Sequence, residues 1–330
     1  MSDKYYHDSI VDTIGGTPLV KLRRLPQEYG VKGTILVKPE YMNPGLSVKD
    51  RMVVYCLRQA IKRGELKPGG TIVEATSGNT GAAVAMFAAA EGYKAVLTIP
   101  DKMSQEKVDT LTAYGAEVHI CPTAVPPTSP ESYYETANRV KAETPNSYMI
   151  SQYHNKDNID AHYNLTGPEI WDQTNDGQFD IFVGGIGTGG TVSGTAKFLK
   201  EKKPSIDIVA IDIEGSVYYD YFHKKKLIEG VPYKVEGIGD DMLCETVDFS
   251  VLDYCYQVSD KESFAMARQL ALKEGLMVGG SSGSAVAGAF QHASKMTEDQ
   301  TMVIILPDSG VKYISKQFSD QWMRENKFLD

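Results

Sequence analysis

The feature that most constrains the fold of this chain is the alternation of short apolar segments with longer helical patterns. The apolar segments read TILVKPE, GTIVEAT, YKAVLTI, AEVHI, DIFVGG, SIDIVAIDIEG, GLMVGG and TMVIILPDS. Most of them are followed by a segment with helical periodicity, such as SVKDRMVVYCLRQAIKRG or NTGAAVAMFAAAEG. Strands that alternate with helices form parallel sheets with helices on both faces. The sequence therefore predicts an α/β protein with two lobes.

Length and charge limit the classes of function. The 330 residues, of which 42% are hydrophobic, suffice for one large or two medium domains. The net charge of -9 argues against a nucleic-acid partner, because binding to a phosphate backbone requires a basic surface. No apolar run is long enough to cross a membrane, and the N-terminus lacks an apolar signal core. We expect a cytoplasmic protein with no membrane partner.

The cysteines and histidines do not predict a metal site. The 4 cysteines are far apart and form no CxxC pair, so neither a zinc site nor a disulfide framework is indicated. The 6 histidines show no metal-ligand spacing. We expect no bound metal.

One lysine occupies an unusual position. In NPGLSVKDR, residues 43–51, Lys49 stands where a loop of Asn, Pro, Gly and Ser changes to a helix. Ser47 and Asp50 have the spacing of a capping box at the helix start. The positive end of the helix dipole disfavours a protonated amine, so we expect it to lower the pKa of Lys49. The alternative is an ordinary surface lysine.

The first glycine-rich turn is TSGNTG, residues 76–81. It follows the apolar run TIVEA and opens an alanine-rich helix, so its backbone N–H groups and hydroxyls suit an anion. The alternative is a tight turn in which Gly78 and Gly81 only give backbone freedom.

The second glycine-rich turn is GGIGTGGT, residues 184–191. It satisfies GxGxxG through Gly185, Gly187 and Gly190, and Asp212 ends the next strand at the distance that a dinucleotide site requires. A nicotinamide-dependent dehydrogenase is therefore a competing interpretation. Against it, several α/β units precede the turn, whereas a dinucleotide domain usually begins with its fingerprint. Both interpretations predict a bound phosphate.

The third turn is GGSSGSA, residues 279–285, which presents Ser281, Ser282 and Ser284 at a helix start. Alone it would be a serine cap. Together, the turns and Lys49 offer an amine, a carboxylate site, a phosphate site and a hydroxyl. Pyridoxal phosphate requires such a set, with the amine as its Schiff-base partner. We therefore interpret Lys49 as the Schiff-base lysine.

The motifs also resemble a known family. In order, IGGTPLVKL, SVKDR, TSGNTG, GTGGT, EGIG, GGSSGSA and PDS resemble the fold type II pyridoxal-phosphate enzymes, in the cystathionine β-synthase and cysteine synthase branch. The resemblance implies a two-lobed fold like that of tryptophan synthase β, with the cofactor between the lobes. It places residues 1–41 and 155–330 in a large cofactor-binding lobe and residues 42–154 in a small mobile lobe.

The resemblance also assigns site residues. Lys49 would carry the cofactor, Asn79 would bond its ring hydroxyl, and Ser281 would face its pyridine nitrogen. The phosphate would be held by Gly187, Thr188, Gly189, Gly190 and Thr191. The substrate would be held by Thr76, Ser77, Thr80, Gln152, Tyr153 and Gly237.

The reaction that the resemblance implies is β-replacement on L-serine, an activated serine or cysteine, through an aminoacrylate intermediate, with a thiol as the nucleophile. Glu236 would assist proton transfer. The motifs YKVEGIGDD, SPESYY, PNSYMISQY, DAHY and FSDQWM favour the cystathionine β-synthase core. The expected partners are small amino acids, thiols and a second copy in a homodimer, without haem or adenosylmethionine control.

Two residues depart from the family pattern. Leu46 stands where the family usually has glycine, and Asp240 follows EGIG where cystathionine synthases commonly have tyrosine. A carboxylate at position 240 would be a general base for a thiol or water. It would favour a cysteine synthase, or a cysteine lyase or lanthionine synthase that releases hydrogen sulfide. The alternative is that Asp240 lies unengaged on a solvated loop.

Overall fold

The computed structural model describes residues 6–76, 78–126 and 128–330, which form two compact units. The smaller unit contains the described residues up to Gly15 and Asn43–Asn158, and the larger contains Gly16–Met42 and Ile159–Asp330. The motifs had placed the first residues in the larger lobe. They cluster with the smaller unit because Asp12 pairs with Arg58 at 2.6 Å and Ser9 donates a hydrogen bond to Glu91.

The strands and helices of the described residues are numbered along the chain. The strands are β1 (Val20–Lys21), β2 (Thr34–Pro39), β3 (Thr71–Ala75), β4 (Lys94–Pro100), β5 (Glu117–Cys121), β6 (Ser147–Met149), β7 (Ile181–Gly185), β8 (Asp207–Ile213), β9 (Tyr254–Val258) and β10 (Thr301–Leu306). The α-helices are α1 (Arg24–Glu28), α2 (Lys49–Arg63), α3 (Asn79–Glu91), α4 (Gln105–Ala113), α5 (Tyr133–Glu143), α6 (Asp157–Ala161), α7 (Gly167–Gln173), α8 (Gly190–Lys202), α9 (Tyr218–Lys224), α10 (Asp260–Gln269), α11 (Gly280–Ala293) and α12 (Asp320–Glu325). Two π-helical segments, His162–Thr166 and Leu270–Glu274, continue α6 and α10.

The larger unit is built on a sheet of order β1-β2-β10-β7-β8-β9, in which β1 alone of the described strands is antiparallel to its neighbour. Apolar side chains at alternate strand positions, such as Val183, Ile211 and Ile304, form its buried core. Helix α11 lies close to this sheet, since a Cβ on Gly288 would come within 2.5 Å of Ile211. The close approach holds the middle of α11 against the sheet.

The smaller unit has a parallel sheet of order β5-β4-β3-β6. Val73 and Ala75 of β3 pack with Ala137 of α5 on one face of this sheet. Because side chains alternate along a strand, Glu74 points to the opposite face. The sheet thus carries a charged side chain at the end of a strand whose residues are all buried.

One predicted strand is absent. Leu276 and Val278 of GLMVGG are buried in the core, but Val278 forms only an isolated antiparallel bridge with Ser309. The Gly279 N–H then donates to the Asp308 carbonyl at 3.0 Å, so the segment pairs with the turn after β10. An apolar run does not distinguish a buried extended segment from a strand.

No helix among the described residues has both the length and the apolar character needed to span a bilayer. In the same part of the chain, no group of three or more His, Cys, Asp or Glu side chains is arranged to hold a metal ion. All four cysteines are buried free thiols.

Candidate active site

Lys49 is the first residue of α2 and is partly buried. The turn before it differs from a capping box. Ser47 Oγ accepts the N–H of Lys49 at 3.2 Å, and the Asp50 carboxylate accepts the N–H of Gly45 at 2.6 Å. A Cβ on Gly45 would lie 2.3 Å from Asp50 Oδ1, so position 45 requires glycine. Asp50 thereby fixes the loop from which the lysine projects.

Leu46 has a left-handed backbone, with φ of 61°, and its side chain is 39% exposed. Only glycine adopts this conformation without strain, and other residues lose roughly 1 kcal/mol. The structure thus gives a physical reason for the glycine that the resembling family usually has here.

The loop at the start of α3 is organised by a threonine. Thr76 is buried, and its Oγ1 accepts the N–H groups of Gly78 at 3.2 Å and Gly81 at 3.0 Å. A Cβ on Gly81 would lie 2.5 Å from Thr76 Cγ2. Asn79 is the first residue of α3 and is partly exposed. Ser77, another predicted substrate contact, lies outside the described residues.

The structure brings together two predicted substrate residues that are distant in sequence. Thr80 Oγ1 donates to Gln152 Oε1 at 2.8 Å, and both side chains are buried. The Gln152 carbonyl accepts a hydrogen bond from Asn158 Nδ2 at 2.9 Å. Tyr153, beside Gln152, makes an edge contact with the ring of Tyr134. The side chain of Gln152 is therefore held at the first turn of α3.

Glu74 was not predicted as a site residue, although it is a charged residue inside the apolar run TIVEA. It is 2% exposed, and its Oε2 accepts the N–H of Ser151 at 3.1 Å. Burial raises the pKa of Glu74 to about 7, against the opposing effect of the backbone N–H groups of residues 150–152. A buried carboxylate thus holds the segment that carries Gln152.

In the larger unit, the predicted phosphate loop joins β7 to α8. A Cβ on Gly187 would lie 2.8 Å from the Gly237 carbonyl oxygen, and one on Gly189 would lie 2.3 Å from Val247. Gly189 has φ of 90°, and Gly190 begins α8. At Gly187 and Gly189 the loop therefore leaves no room for a side chain, and it ends at the start of α8, where a helix N-terminus favours an anion.

The two threonines of this loop have protein partners. The carbonyl of Thr188 accepts a hydrogen bond from the hydroxyl of Thr246. Thr191 Oγ1 lies 3.1 Å from Nε2 of the buried His162, whose Nδ1 lies 2.9 Å from Thr166 Oγ1. His162 belongs to a π-helical segment and orients Thr191.

The third turn lies close to the EGIG segment. Ser281 is in the first turn of α11 and is 2% exposed. Its Oγ lies 3.8 Å from the position of a Cβ on Gly237, whose φ is 83°. Tyr313 donates to the Asp308 carboxylate at 2.7 Å, and a Cβ on Gly279 would lie 2.0 Å from that carboxylate. These close approaches fix the start of α11 and the serine hydroxyl.

Two carboxylates flank this region. Glu236 pairs with Lys316 at 2.6 Å and its side chain is 24% exposed. Asp240 is partly buried, and its Oδ1 accepts the N–H groups of Asp241 at 2.9 Å and Met242 at 3.3 Å. Burial, followed by the neighbouring Asp241 carboxylate, raises the pKa of Asp240 to about 7. The Asp240 carboxylate is therefore held by backbone groups of its own loop.

Asp212 tests the dehydrogenase interpretation. Its Oδ2 accepts the N–H of Tyr219 at 2.8 Å, and the side chain is fully buried. Burial raises its pKa to about 6. The acidic residue of a dinucleotide fingerprint must reach a ribose hydroxyl, which this buried helix cap does not do.

Comparison with known proteins assigns the family. The model of the family described as pyridoxal-phosphate dependent enzyme matches residues 10–308. The chain is 45% identical over 321 residues to cystathionine beta-synthase of Oryctolagus cuniculus, covering 97% of this chain and 58% of that protein. It is 41% identical over 330 residues to cystathionine beta-synthase of Saccharomyces cerevisiae, covering 98% of this chain and 65% of that protein.

A solved structure gives the same fold. The crystal structure of O-ureido-L-serine synthase superposes with a TM-score of 0.87 at 32% identity, covering 97% of this chain and 99% of that one. The chain belongs to the family of pyridoxal-phosphate dependent enzymes, of fold type II. This confirms the predicted fold class and cofactor, and the dehydrogenase interpretation is wrong. The chain spans roughly three fifths of the length of the curated relatives named above.

The side chains present fit pyridoxal phosphate. The larger unit supplies a phosphate cradle that a Cβ would fill and the buried hydroxyl of Ser281, which suits an uncharged ring nitrogen. The smaller unit supplies the amine of Lys49 at a helix start and the amide of Asn79 at another. These are the types of donor that this cofactor requires.

Proposed function

We propose that the chain catalyses β-replacement on L-serine or an activated serine, with L-homocysteine as the thiol, and so forms cystathionine. The observation that carries the proposal is the buried hydroxyl of Ser281 at the start of α11. A carboxylate there would hold the ring nitrogen of the cofactor protonated and retain negative charge in the ring. A hydroxyl does not, which favours loss of the β-substituent over transamination. The similarity to cystathionine beta-synthases supports the choice of substrates.

Each unit contributes defined roles in this proposal. Bound pyridoxal phosphate supplies the electron sink for the charge that develops at the substrate Cα. Lys49 holds the cofactor, removes the Cα proton and returns it after the thiol has added at Cβ. Asn79 positions the cofactor ring. The loop from Gly187 to Thr191 anchors the phosphate at the start of α8.

The substrate carboxylate would bind at the first turn of α3. The Thr80 hydroxyl and the Gln152 amide face each other there, next to the backbone N–H groups of the loop. Thr76 contributes by arranging that loop, because its Oγ1 already accepts two backbone N–H groups. Tyr153 and Gly237 are proposed to border the substrate.

A second candidate function rests on Asp240. A partly buried carboxylate with a pKa of about 7 is suited to deprotonate a thiol or water at neutral pH. Glu236 is less suited, because Lys316 pairs with it. If cysteine is the first substrate, hydrogen sulfide leaves, and the other product is lanthionine when a second cysteine adds or serine when water adds. If serine or an activated serine is the first substrate and sulfide adds, the product is cysteine.

Product analysis separates the two candidates. The yellow protein is mixed with L-serine and L-homocysteine, and in parallel with L-cysteine alone. Cystathionine in the first sample is the expected result. Its absence, with hydrogen sulfide from cysteine alone, would replace the first candidate by the second, and Asp240→Asn should then abolish the release of sulfide. We also propose that the protein forms a homodimer and acts in the cytoplasm.

A further inference from the structure

The end of β3 carries a carboxylate that the packing of the sheet does not require. Glu74 is the charged member of a five-residue strand that is buried throughout. It points away from the apolar cluster of Val73, Ala75 and Ala137. A buried carboxylate lowers stability unless its oxygen atoms find donors, so the donors of Glu74 indicate its role.

Those donors belong to one segment. The N–H of Ser151 donates to Glu74 Oε2 at 3.1 Å, and the backbone N–H groups of Ile150 and Gln152 also favour the ionised form. Ser151 has φ of 55°, a strained value for a residue other than glycine. The backbone of residues 150–152 is thus turned so that its donors gather around the carboxylate.

The same segment presents Gln152 to α3. Asn158 Nδ2 fixes the Gln152 carbonyl at 2.9 Å, and Thr80 Oγ1 fixes its side chain at 2.8 Å. Glu74 also holds this segment, because its carboxylate accepts hydrogen bonds from the backbone N–H groups of residues 150–152. A shift of the strained turn would move the amide of Gln152 relative to Thr80.

We propose that Glu74 is a positioning residue for the substrate carboxylate: it holds the turn at residues 150–152 and thereby sets the position of the Gln152 amide at the first turn of α3. This inference rests on the proposed function, in which Thr80 and Gln152 bind that carboxylate.

The surroundings of Glu74 contain few other titratable groups. From α2, Cys56 interacts with the Glu74 charge, and Cys56 also lies in the field of Asp157 and Arg63. From β6, Tyr148 interacts with Cys56. Helix α5 packs on the opposite face of the sheet. Burial raises the pKa of both Cys56 and Tyr148 well above neutrality, so Glu74 is the group among these that titrates near pH 7.

The sign of the pH effect separates positioning from simple stabilisation. The folded-state pKa of Glu74, about 7, exceeds its ordinary value of 4.5, so the folded protein binds this proton more tightly than the unfolded chain. The contribution of Glu74 to stability is therefore complete below the ordinary value and is lost as the pH rises through 7. Above pH 7 the ionised carboxylate destabilises the fold while it holds the turn most firmly.

The test compares the wild-type holoenzyme with Glu74→Gln. Hydrogen exchange of the peptide covering residues 147–158 should become faster at pH 8, because the amide accepts the backbone N–H groups more weakly. The KM for the amino-acid substrate should rise about tenfold with kcat within about twofold, the loss expected for one charge-assisted hydrogen bond. The melting temperature should be close to that of the wild type at pH 4 and should exceed it at pH 8.

Asp212→Asn is the matched control, since Asp212 is also a buried carboxylate at a strand end that accepts a backbone N–H. It should leave the exchange of residues 147–158 unchanged. Unchanged exchange of that peptide in Glu74→Gln, or a kcat loss with an unchanged KM, would overturn the proposal. If the enzyme formed none of the expected products, the exchange result would still decide whether Glu74 holds the turn.

Discussion

Two glycine-rich turns, one after β3 in the smaller unit and one after β7 in the larger, are held in place by different interactions. The first is organised by side chains, since Thr76 caps the start of α3 and Glu74 holds the neighbouring turn. The second is organised by close backbone packing, since Gly187 and Gly189 have no space for a Cβ. We therefore expect the first turn to be most sensitive to the loss of a polar side chain, and the second turn to be most sensitive to a larger residue in place of glycine.

The largest expected effect concerns the covalent role that we propose for Lys49 in the smaller unit. Lys49→Ala should abolish the covalent link to the cofactor and reduce the rate by at least about 10³-fold. Borohydride reduction followed by mass analysis of the tryptic peptides measures the link. Lys62→Ala, near the other end of α2, is the control and should keep it. A reduced cofactor adduct in Lys49→Ala would show that another amine carries the cofactor.

The next largest effect tests the packing of the larger unit's loop. Gly187→Ala should raise the dissociation constant for pyridoxal phosphate by tenfold or more, since overpacking costs about 1–3 kcal/mol. Gly78→Ala is the counterpart in the smaller unit, where the new methyl would meet only the flexible end of Lys107, at 3.4 Å from its Nζ. Cofactor titration should show a change below about threefold there. Equal effects at both sites would remove the contrast between the loops.

A smaller effect is expected from a polar change in the smaller unit's loop. Thr80→Val removes the hydrogen bond to Gln152 Oε1, worth about 1 kcal/mol, and should raise the KM for the amino-acid substrate roughly fivefold. Thr80→Ser keeps the hydroxyl and should restore most of the affinity in the same steady-state assay. If serine does not rescue, packing of the threonine methyl group accounts for the loss.

The smallest effect concerns the loop before Lys49. Leu46→Gly should raise the free energy of unfolding by about 0.5 kcal/mol, since the left-handed strain that it removes slightly exceeds the added backbone entropy. Thermal unfolding measures it. Met42→Gly, an exposed position outside the left-handed region, is the control and should destabilise. A fall in stability for Leu46→Gly would mean that the leucine side chain packs usefully.

Much of this architecture was predictable because local patterns determine it. Apolar runs of strand length predicted β3, β7 and β10, and the motifs predicted both turns and the position of Lys49 at the start of a helix. The prediction of a strand at GLMVGG was wrong, because a buried extended segment has the same apolar pattern as a buried strand. The role of Glu74 was not predictable, since it depends on a turn about 77 residues away whose backbone donors only the fold brings near.

The pairing of β2 with β10 has a consequence for how the protein is made. These adjacent central strands come from opposite ends of the chain, while the sheet of the smaller unit comes from one continuous segment. During synthesis, the smaller unit is complete while β2 still lacks its neighbour. The edge of β2 that pairs with β10 must therefore stay open on the ribosome until β10 emerges, although β1 can already pair with its other edge, and chaperone protection would shield that open edge from aggregation.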